Sequence, residues 1–323
     1  MHPPAVDELS PVTWPAEAAG LLRRCSFPAP GQPAVCAVSG GADSLAMLAL
    51  AVTAGCRAHA VHVDHGLRPG SAREAQAVQA AAQALGATWE TISVTVEHGP
   101  DLEARARAAR YEALPRGVMV GHTADDQAET LLLNLLRGAA LDGLSGMRAR
   151  GAGRRGVARP ILDLRRAETA AFVAALGLEP VTDPSNSDVR FRRNRVRHEI
   201  LPLLAEVARR DPVPLLARTA RLLGEDADLL AILASGLDAT DTAALRDAPK
   251  PLAKRALRAW LRQEQGPEHH PPSAAELGRT WMVVTGETTA CELAGGRRVS
   301  RSAGRLRLSP KPSAVPEPPS VEV

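Results

Sequence analysis

Short apolar runs alternate with longer, helix-like segments through the first 137 residues. Buried strands are predicted at 35–38, 59–63, 89–96 and 118–120. Helices are predicted at 42–54, 72–85, 102–114 and 124–137. Strands that alternate with helices of this length need right-handed crossovers, which build a parallel sheet covered on both faces. The pattern therefore predicts an α/β fold for this part of the chain.

The pattern changes after Gly138. The sequence next predicts a Gly- and Arg-rich loop at 148–156, a strand at 157–161 and a helix at 168–176. A polar turn at 183–187 and a basic helix at 193–208 follow, and Pro202 is expected to kink or interrupt that helix. From about residue 215 the pattern is mainly helical, with helices predicted at 217–233 and 242–263. We therefore expect a leader at 1–30 and an α/β catalytic domain at 31–213. A smaller, mainly helical domain at 214–309 and a disordered tail at 310–323 should follow.

Charge is unevenly distributed along the chain. Residues 1–147 carry ten basic and fifteen acidic side chains, whereas 148–221 carry sixteen arginines and eight acids. A basic segment beside an acidic one favours a polyanionic partner, although a general preference for arginine would give the same excess.

The sequence also bears on location. The amino-terminal residues lack the features of a signal peptide, and no apolar stretch reaches the roughly 20 residues of a membrane span. The four cysteines, scattered and without a C-x-x-C pair, fit a reducing cytoplasm. We expect a cytoplasmic protein without membrane contact; the oligomeric state stays open.

A phosphate-binding loop is predicted between the first strand and the first long helix. Its residues are Ser39, Gly40, Gly41, Ala42, Asp43 and Ser44. The glycines allow a tight turn with successive N–H groups, and the helix terminus and serine hydroxyls add donors for an anion. The loop has no Walker lysine, and an aspartate beside phosphate implies a bridging cation such as Mg²⁺.

Two further polar clusters follow later strands. His62, Asp64 and His65 end the second strand, where they form either a metal site or ordinary polar strand termini. The segment 121–130, Gly-His-Thr-Ala-Asp-Asp-Gln-Ala-Glu-Thr, opens the helix after the fourth strand, and Asp126 and Glu129 share a face of it. Ligands bind at the carboxyl ends of parallel strands, so these clusters and the loop are expected to meet there.

These motifs resemble those of a known family. Ser-Gly-Gly-Ala-Asp-Ser is the loop of the PP-loop, or N-type, ATP pyrophosphatases, whose fold is of the adenine nucleotide alpha hydrolase type. The chain resembles their tRNA(Ile)-lysidine synthetase branch in VHVDHGLR at 61–68, AR-x-x-RY at 106–111, GHTADDQAET at 121–130, LLRG at 135–138, RPIL at 159–162, DPSN at 183–186 and RNRVR at 193–197.

The resemblance implies a reaction in two steps. ATP adenylates the C2 oxygen of the first anticodon cytidine of tRNA(Ile) bearing CAU, with release of pyrophosphate; free lysine then displaces AMP. It implies that residues 39–44 bind ATP and that Asp43 helps to place Mg²⁺. The catalytic residues it implies are Asp43, His122, Asp126 and Glu129. The lysine- or tRNA-binding residues it implies are Arg107, Arg110, Asp126, Glu129, Arg193, Asn194, Arg195 and Arg197.

The chemistry gives its own reason for carboxylates. A lysine amine with a pKa of about 10.4 is neutral in only about one molecule in 2,500 at pH 7. Asp126 and Glu129 are expected to orient the ammonium group, and one of them or His122 to take its proton. The sequence does not decide which of the three is the base.

Three other functions compete with this one. A PP-loop tRNA thiolase would need paired cysteines or an iron–sulfur cluster, which the spacing of these cysteines does not suggest. A catalytically inactive tRNA-binding protein would not need Asp43 and Asp126 beside phosphate. An amidotransferase-type synthetase would need a source of ammonia, which no segment supplies.

Overall fold

A computed structural model describes residues 15–64, 71–95, 102–151, 156–181, 188–265 and 272–309. Several predicted features lie outside these residues: His65, the turn at 183–187, residues 152–155 of the Gly- and Arg-rich loop, and the tail from 310. The chain divides into two compact units, 1–224 and 225–323. The predicted boundary at 213/214 lies at the start of a helix, Val213–Ser235, within which this division falls.

The first unit contains a parallel sheet of four strands. In chain order its elements begin α1 (Ala18–Leu22), β1 (Pro33–Ala37), α2 (Ala42–Thr53), β2 (Arg57–Asp64), α3 (Ser71–Ala84), β3 (Thr88–Ser93), α4 (Leu102–Ala113), β4 (Met119–Val120) and α5 (Ala124–Leu136). The strand order is β3-β2-β1-β4. The chain thus adds β2 and then β3 on one side of β1, and it adds β4 on the other side. Such a switch point leaves a crevice at the carboxyl ends of β1 and β4, where ligands bind in open α/β sheets.

Burial follows from the apolar pattern. The residues of α2 from Ser44 to Ala51 are all buried, as expected for a helix that is apolar on every side. This helix packs against the sheet and against α7 (Arg166–Ala175). The expected leader is partly structured, since Ala18 and Leu21 of α1 are buried in the same core.

The rest of the first unit is helical. Its remaining elements are α6 (Leu141–Leu144), α7, α8 (Arg192–Arg195), α9 (Leu201–Ala208) and the first half of α10 (Val213–Ser235). Helices α8 and α9 are joined by a π-helical turn at Val196–Ile200, directly before Pro202. Proline has no N–H to continue the α-helical hydrogen bonds, so the predicted interruption takes this form.

One predicted strand of the first unit is wrong. The segment 157–161 makes only bridges at Ala158, to Met119 and to Arg150. Its backbone then turns at Pro160, which cannot donate to a ladder.

The second unit combines helices with a small sheet. It contains α11 (Thr242–Asp247), α12 (Lys250–Gln265), α13 (Ala274–Thr285) and an antiparallel sheet of β5 (Ala290–Glu292), β6 (Arg298–Ser302) and β7 (Arg305–Ser309). The single helix predicted at 242–263 is wrong, because the chain breaks before α12 at Pro249. The sheet was not predicted, since its strands are short and have few buried positions. Among the described helices of both units, none is long and apolar enough to cross a membrane.

Candidate active site

The loop 39–44 turns tightly between β1 and α2. Gly40 has φ of +87°, a left-handed conformation that glycine adopts without strain. The Ser44 hydroxyl donates to the Gly41 carbonyl at 2.8 Å and lies 3.2 Å from the hydroxyl of Ser39. The serines therefore hold the loop in shape. The first N–H groups of α2, which have no partner within the helix, lie at the carboxyl edge of the sheet and favour an anion there.

A second glycine brings the end of β4 against this loop. A Cβ atom added at Gly121 would lie 2.8 Å from the Asp43 carbonyl oxygen and 3.0 Å from the Cα of Ser44. These are backbone atoms that cannot turn away. The absence of a side chain at Gly121 therefore places the segment after β4 directly beside the loop.

Gly121→Ala should destabilise the first unit by about 1–3 kcal/mol, the usual cost of overpacking a tight contact. The measurement is urea unfolding of the full chain. Gly20→Ala in α1 is the control, because its added Cβ would meet only the end of the Arg23 side chain at 3.8 Å. Equal stability of the two variants would show that the backbones can separate at no cost.

His122 follows Gly121 and contacts an arginine. Its Nδ1 accepts a hydrogen bond from Nε of Arg159 at 3.0 Å. The accepting nitrogen of a neutral imidazole carries no proton, so the ring proton lies on Nε2. In this arrangement the basic nitrogen of His122 is already occupied.

Asp126 is held on both of its carboxylate oxygens. As the third residue of α5, it accepts with Oδ2 from the backbone N–H of Thr123 at 2.8 Å and from its hydroxyl at 3.1 Å. Its Oδ1 accepts from Arg166 at 2.9 Å and from Arg193 at 3.1 Å.

Glu129 lies one turn further along α5, and its side chain is fully buried. Oε1 accepts from Arg166 at 3.2 Å and from Nε of Arg197 at 2.7 Å. Oε2 accepts from Nε of Arg193 at 2.6 Å and from the terminal nitrogen of Arg197 at 3.2 Å. One carboxylate thus anchors three guanidinium groups, and each of its oxygens has two donors.

Arg166 joins these carboxylates to the loop. Its guanidinium contacts Asp126 and Glu129 through its terminal nitrogens and, through Nε, Oδ2 of Asp43 at 3.4 Å. The other oxygen of Asp43 accepts from the buried hydroxyl of Thr169, one turn later in α7. We call this group the acid–arginine cluster; its members are Asp43, Asp126, Glu129, Arg166, Arg193 and Arg197. With three acids and three bases, it is formally neutral.

The two aspartates of the cluster differ in pKa. Burial raises the pKa of Asp43, and the Thr169 hydrogen bond and the Arg166 charge offset this only in part. Burial also acts to raise the pKa of Asp126, but the charges of Arg166 and Arg193 outweigh it and lower the pKa. The pKa of Arg166 is raised, because the nearby carboxylates outweigh the opposite effect of burial. Asp126 is therefore the weaker base of the two, and Arg166 stays charged.

The structure does not bring all of the expected site residues to this edge. The loop 39–44, His122, Asp126, Glu129, Arg193 and Arg197 meet there. Arg195 lies on an exposed face, where it pairs with Glu199. Asn194 is buried and donates to the Asp188 carbonyl at 2.9 Å, so it shapes the start of α8. The side chains of Arg107 and Arg110 lie outside the described residues.

Four residues of the site are not among the site residues that the sequence predicts: Gly121, Arg159, Arg166 and Thr169. Gly121 and Arg159 lie in the quoted motifs at 121–130 and 159–162 but had no role there. Arg166 had a usable signal. It opens α7 next to Arg165, although the start of a helix disfavours positive charge. Two arginines in that position indicate a specific partner: Asp125 for Arg165, at 3.0 Å, and the acid–arginine cluster for Arg166.

The predicted cluster at the end of β2 includes His62, which contacts the backbone directly before the phosphate-binding loop. Nδ1 of the buried His62 lies 2.9 Å from the carbonyl oxygen of Val38, directly before the loop. Within the described part of the chain, no group of three His, Cys, Asp or Glu side chains is arranged to hold a metal. Asp43 can nevertheless hold Mg²⁺ together with a nucleotide, because Mg²⁺ commonly takes one or two carboxylates and completes its shell with phosphate oxygens and water.

A parallel sheet with this loop after its first strand defines a PP-loop nucleotide-binding protein. Residues 20–204 match the family model described as a PP-loop domain, and residues 241–307 match the TilS substrate binding domain. The chain is 43% identical over 308 residues to the tRNA(Ile)-lysidine synthase of Salinispora tropica, covering 87% of this chain and 91% of that protein. It is 45% identical over 290 residues to the enzyme of the same name from Nocardia farcinica, covering 85% and 88%. The chain belongs to the tRNA(Ile)-lysidine synthase family.

A solved structure supports the fold. The U34-tRNA thiolase NcsA from Methanococcus maripaludis, which carries a [4Fe-4S] cluster, superposes with a TM-score of 0.52 at 17% identity and covers 64% of this chain and 78% of its own. At this identity the likeness shows the fold alone. The cysteines of the present chain are all free, and burial raises the pKa of Cys25 and of Cys36 to about 12. Such thiols are poor nucleophiles and poor metal ligands.

Proposed function

We propose that this chain uses ATP to attach lysine to C2 of the cytidine in the first anticodon position of tRNA(Ile) with a CAU anticodon. Membership of the tRNA(Ile)-lysidine synthase family supports the reaction. The observation that carries the site is the meeting of Asp43, Asp126 and Glu129 at the guanidinium of Arg166, beside the phosphate-binding loop.

The first step adenylates the base. The C2 oxygen of cytidine attacks the α-phosphorus of ATP, and pyrophosphate leaves with the electrons of the broken P–O bond. The loop 39–44 receives the phosphates with its N–H groups and the start of α2. Negative charge develops on the phosphate oxygens in this step, and the arginines of the cluster are the groups that can balance it. Bound Mg²⁺ would supply further positive charge between the phosphates, with Asp43 as its protein ligand.

The second step forms the carbon–nitrogen bond. The neutral ε-amine of lysine attacks C2, and AMP leaves with the former C2 oxygen. The amine must first lose a proton. Asp43, whose pKa burial raises, is a stronger acceptor than Asp126, whose pKa is lowered. We therefore assign to Asp126 the orientation of the lysine ammonium group, and to Asp43 a second use as the proton acceptor once the phosphates have left.

The hydrogen bonds of the acid–arginine cluster leave no room for lysine on Asp126 and Glu129. Asp126 and Glu129 each accept four hydrogen bonds, which is the capacity of a carboxylate. A lysine ammonium can bind only if an arginine leaves. ATP gives Arg166 and Arg193 phosphate oxygens as new partners, so nucleotide binding should open the lysine site.

ATP should therefore raise the affinity for lysine by about tenfold or more, a coupling of at least ~1.4 kcal/mol. The measurement is calorimetric titration of lysine with and without a non-hydrolysable ATP analogue and Mg²⁺. Arg166→Gln is the matched variant, because it frees one acceptor position on Asp126 and one on Glu129 in advance and should reduce the coupling. Equal lysine affinity with and without the analogue would refute the exchange of partners.

The function itself is tested by incorporation of radiolabelled lysine into transcribed tRNA(Ile). Label should enter only with ATP, and it should be lost when the first anticodon base is changed from C to U. Formation of AMP and pyrophosphate with some other tRNA, without lysine incorporation, would keep the PP-loop chemistry and overturn the lysidine assignment.

A further inference from the structure

A groove lined by arginines lies in the first unit next to the acid–arginine cluster. Two cavities, of about 350 Å³ and 210 Å³, share Arg24, Asp163, Ala217 and Arg221 as lining residues. Because these four residues line both, the two cavities lie next to each other, and together they form one grooved surface. We call it the arginine groove; its defining residues are Arg23, Arg24, Arg148, Arg159, Arg218 and Arg221.

More arginines than carboxylates line the arginine groove. Among the described residues that line the two cavities, Asp163 is the one carboxylate. Arg165 also lines the second cavity, but Asp125 and Asp211 balance its charge. Arg24 pairs with Glu168. Even with these acids counted, the arginines outnumber the carboxylates.

One guanidinium of the groove is fixed in place by the backbone. Arg148 donates to the Gly224 carbonyl at 2.8 Å. A Cβ atom at Gly224 would lie 2.0 Å from a terminal nitrogen of Arg148, so a side chain there would displace the guanidinium. Glycine inside a helix costs about 1 kcal/mol relative to alanine. At this position it allows a groove arginine to lie against α10.

The lining indicates the class of ligand. Small-molecule sites usually contain only a few polar groups, whereas seven arginines are among the residues that line these two cavities. Guanidinium groups bind phosphate through two parallel hydrogen bonds. Arg23, Arg218 and Arg221 are exposed and therefore accessible from solvent. A chain of successive phosphates fits this arrangement better than a single compact anion does.

The arginine groove borders the reaction site. Arg159 lines it and donates to His122. Gln127 of α5 also lines it and holds Met147 through two hydrogen bonds, of 2.9 and 2.7 Å. Asp126 and Glu129 are neighbouring positions on the same helix. A polyanion bound in the groove would thus pass within one helix width of the acid–arginine cluster.

We propose that the arginine groove binds backbone phosphates of the tRNA next to the nucleotide that reacts. The choice of tRNA as the polyanion rests on the proposed function. The groove is separate from the phosphate-binding loop, so the two sites should respond independently to substitution.

The test compares two double variants of the full chain. Arg218→Gln/Arg221→Gln removes two exposed charges from the groove. Arg57→Gln/Arg116→Gln removes two exposed charges from the opposite, amino-terminal edge of the sheet, one at the first residue of β2 and one before β4. Affinity for a tRNA(Ile) transcript is measured by fluorescence anisotropy across a series of salt concentrations, and affinity for ATP is measured in parallel.

The groove variant should bind tRNA about tenfold or more weakly. Its slope of log affinity against log salt should be shallower by about 1.4–1.8, since each of the two lost phosphate contacts removes about 0.7–0.9. The control should keep the wild-type slope, and both variants should keep their ATP affinity.

Other outcomes would overturn the proposal. Unchanged tRNA binding in the groove variant would show that the groove is not used, and an equal loss in the control would show only an effect of net charge. Loss of ATP affinity with intact tRNA binding would assign the groove to the nucleotide. If the wild type binds tRNA through the groove but does not incorporate lysine, the proposed function fails and the groove assignment stands.

Discussion

Glu129→Gln is expected to reduce kcat/KM for lysidine formation by at least about 100-fold and to destabilise the first unit. The fully buried Glu129 side chain anchors Arg166, Arg193 and Arg197, and glutamine can neither balance their charge nor accept all of their hydrogen bonds. Misplacement of positioned groups by about 1 Å can cost 100-fold in rate.

The loss of stability should be about 3 kcal/mol, the lower end of the range for breaking a buried ion pair. The lower end applies because the three arginine side chains remain 23–34% exposed and water can partly solvate them. The measurements are urea unfolding and steady-state kinetics.

Glu199→Gln is the matched control. It removes the same group from an Arg–Glu pair, with Arg195, but both side chains are about half exposed. Exposed pairs contribute little to stability, so this variant should unfold and react like the wild type. If Glu129→Gln behaved like Glu199→Gln, the three arginines would hold their positions without Glu129.

Asp43→Asn is expected to reduce pyrophosphate release by about 1,000-fold without loss of stability. A partly buried carboxylate with a raised pKa is destabilising when it is charged in the folded state, and asparagine removes that charge while keeping the shape. The variant should therefore melt at the same temperature as the wild type or higher. What it loses is the negative charge that would hold Mg²⁺ against the ATP phosphates.

The pH dependence has a definite sign. The pKa of Asp43 is raised in the folded state, so the stability that its protonated form contributes is lost as pH rises through that pKa. The Asp43→Asn variant does not lose this stability and should therefore become more stable than the wild type over the same pH range. A cation requires the ionised form, so Mg²⁺ affinity of the wild type should fall on the acid side at a higher pH than an ordinary aspartate pKa of 3.8 would give.

The test is a Mg²⁺ titration of ATP turnover across pH, beside thermal unfolding of the wild type and Asp43→Asn. In both measurements the Asp43→Asn variant should lack the pH dependence that comes from titration of Asp43. Together the two substitutions separate two roles: Glu129→Gln should lose both activity and stability, and Asp43→Asn activity alone. An Asp43→Asn enzyme that keeps its turnover would remove Asp43 from the chemistry.

Local sequence determined much of the fold and the family. The apolar strands at 35–38 and 59–63 and the long helices between them follow from hydrophobic periodicity, which depends on neighbouring residues only. The loop 39–44 was readable because its glycine conformations and serine hydrogen bonds close within six residues. The short strands β5–β7 and the break at Pro249 were missed, because weak local periodicity does not distinguish between competing structures.

Only the tertiary structure decided how the charged residues are paired. Sequence placed Asp126 and Glu129 in an acidic segment and Arg193 and Arg195 in a basic one, but it did not show which of them would meet. The contacts of Arg166 with Glu129 and Asp43 span 37 and 123 residues, distances along the chain at which no local pattern operates. The packing of α7 on α2 makes the contact with Asp43, and the start of α7 also meets Glu129 of α5. The course of α8 and of the π-helical turn after it sends Arg193 and Arg197 to Glu129 and Arg195 to solvent. The residue types were determined by the sequence, and their partners by the packing of helices that are remote along the chain.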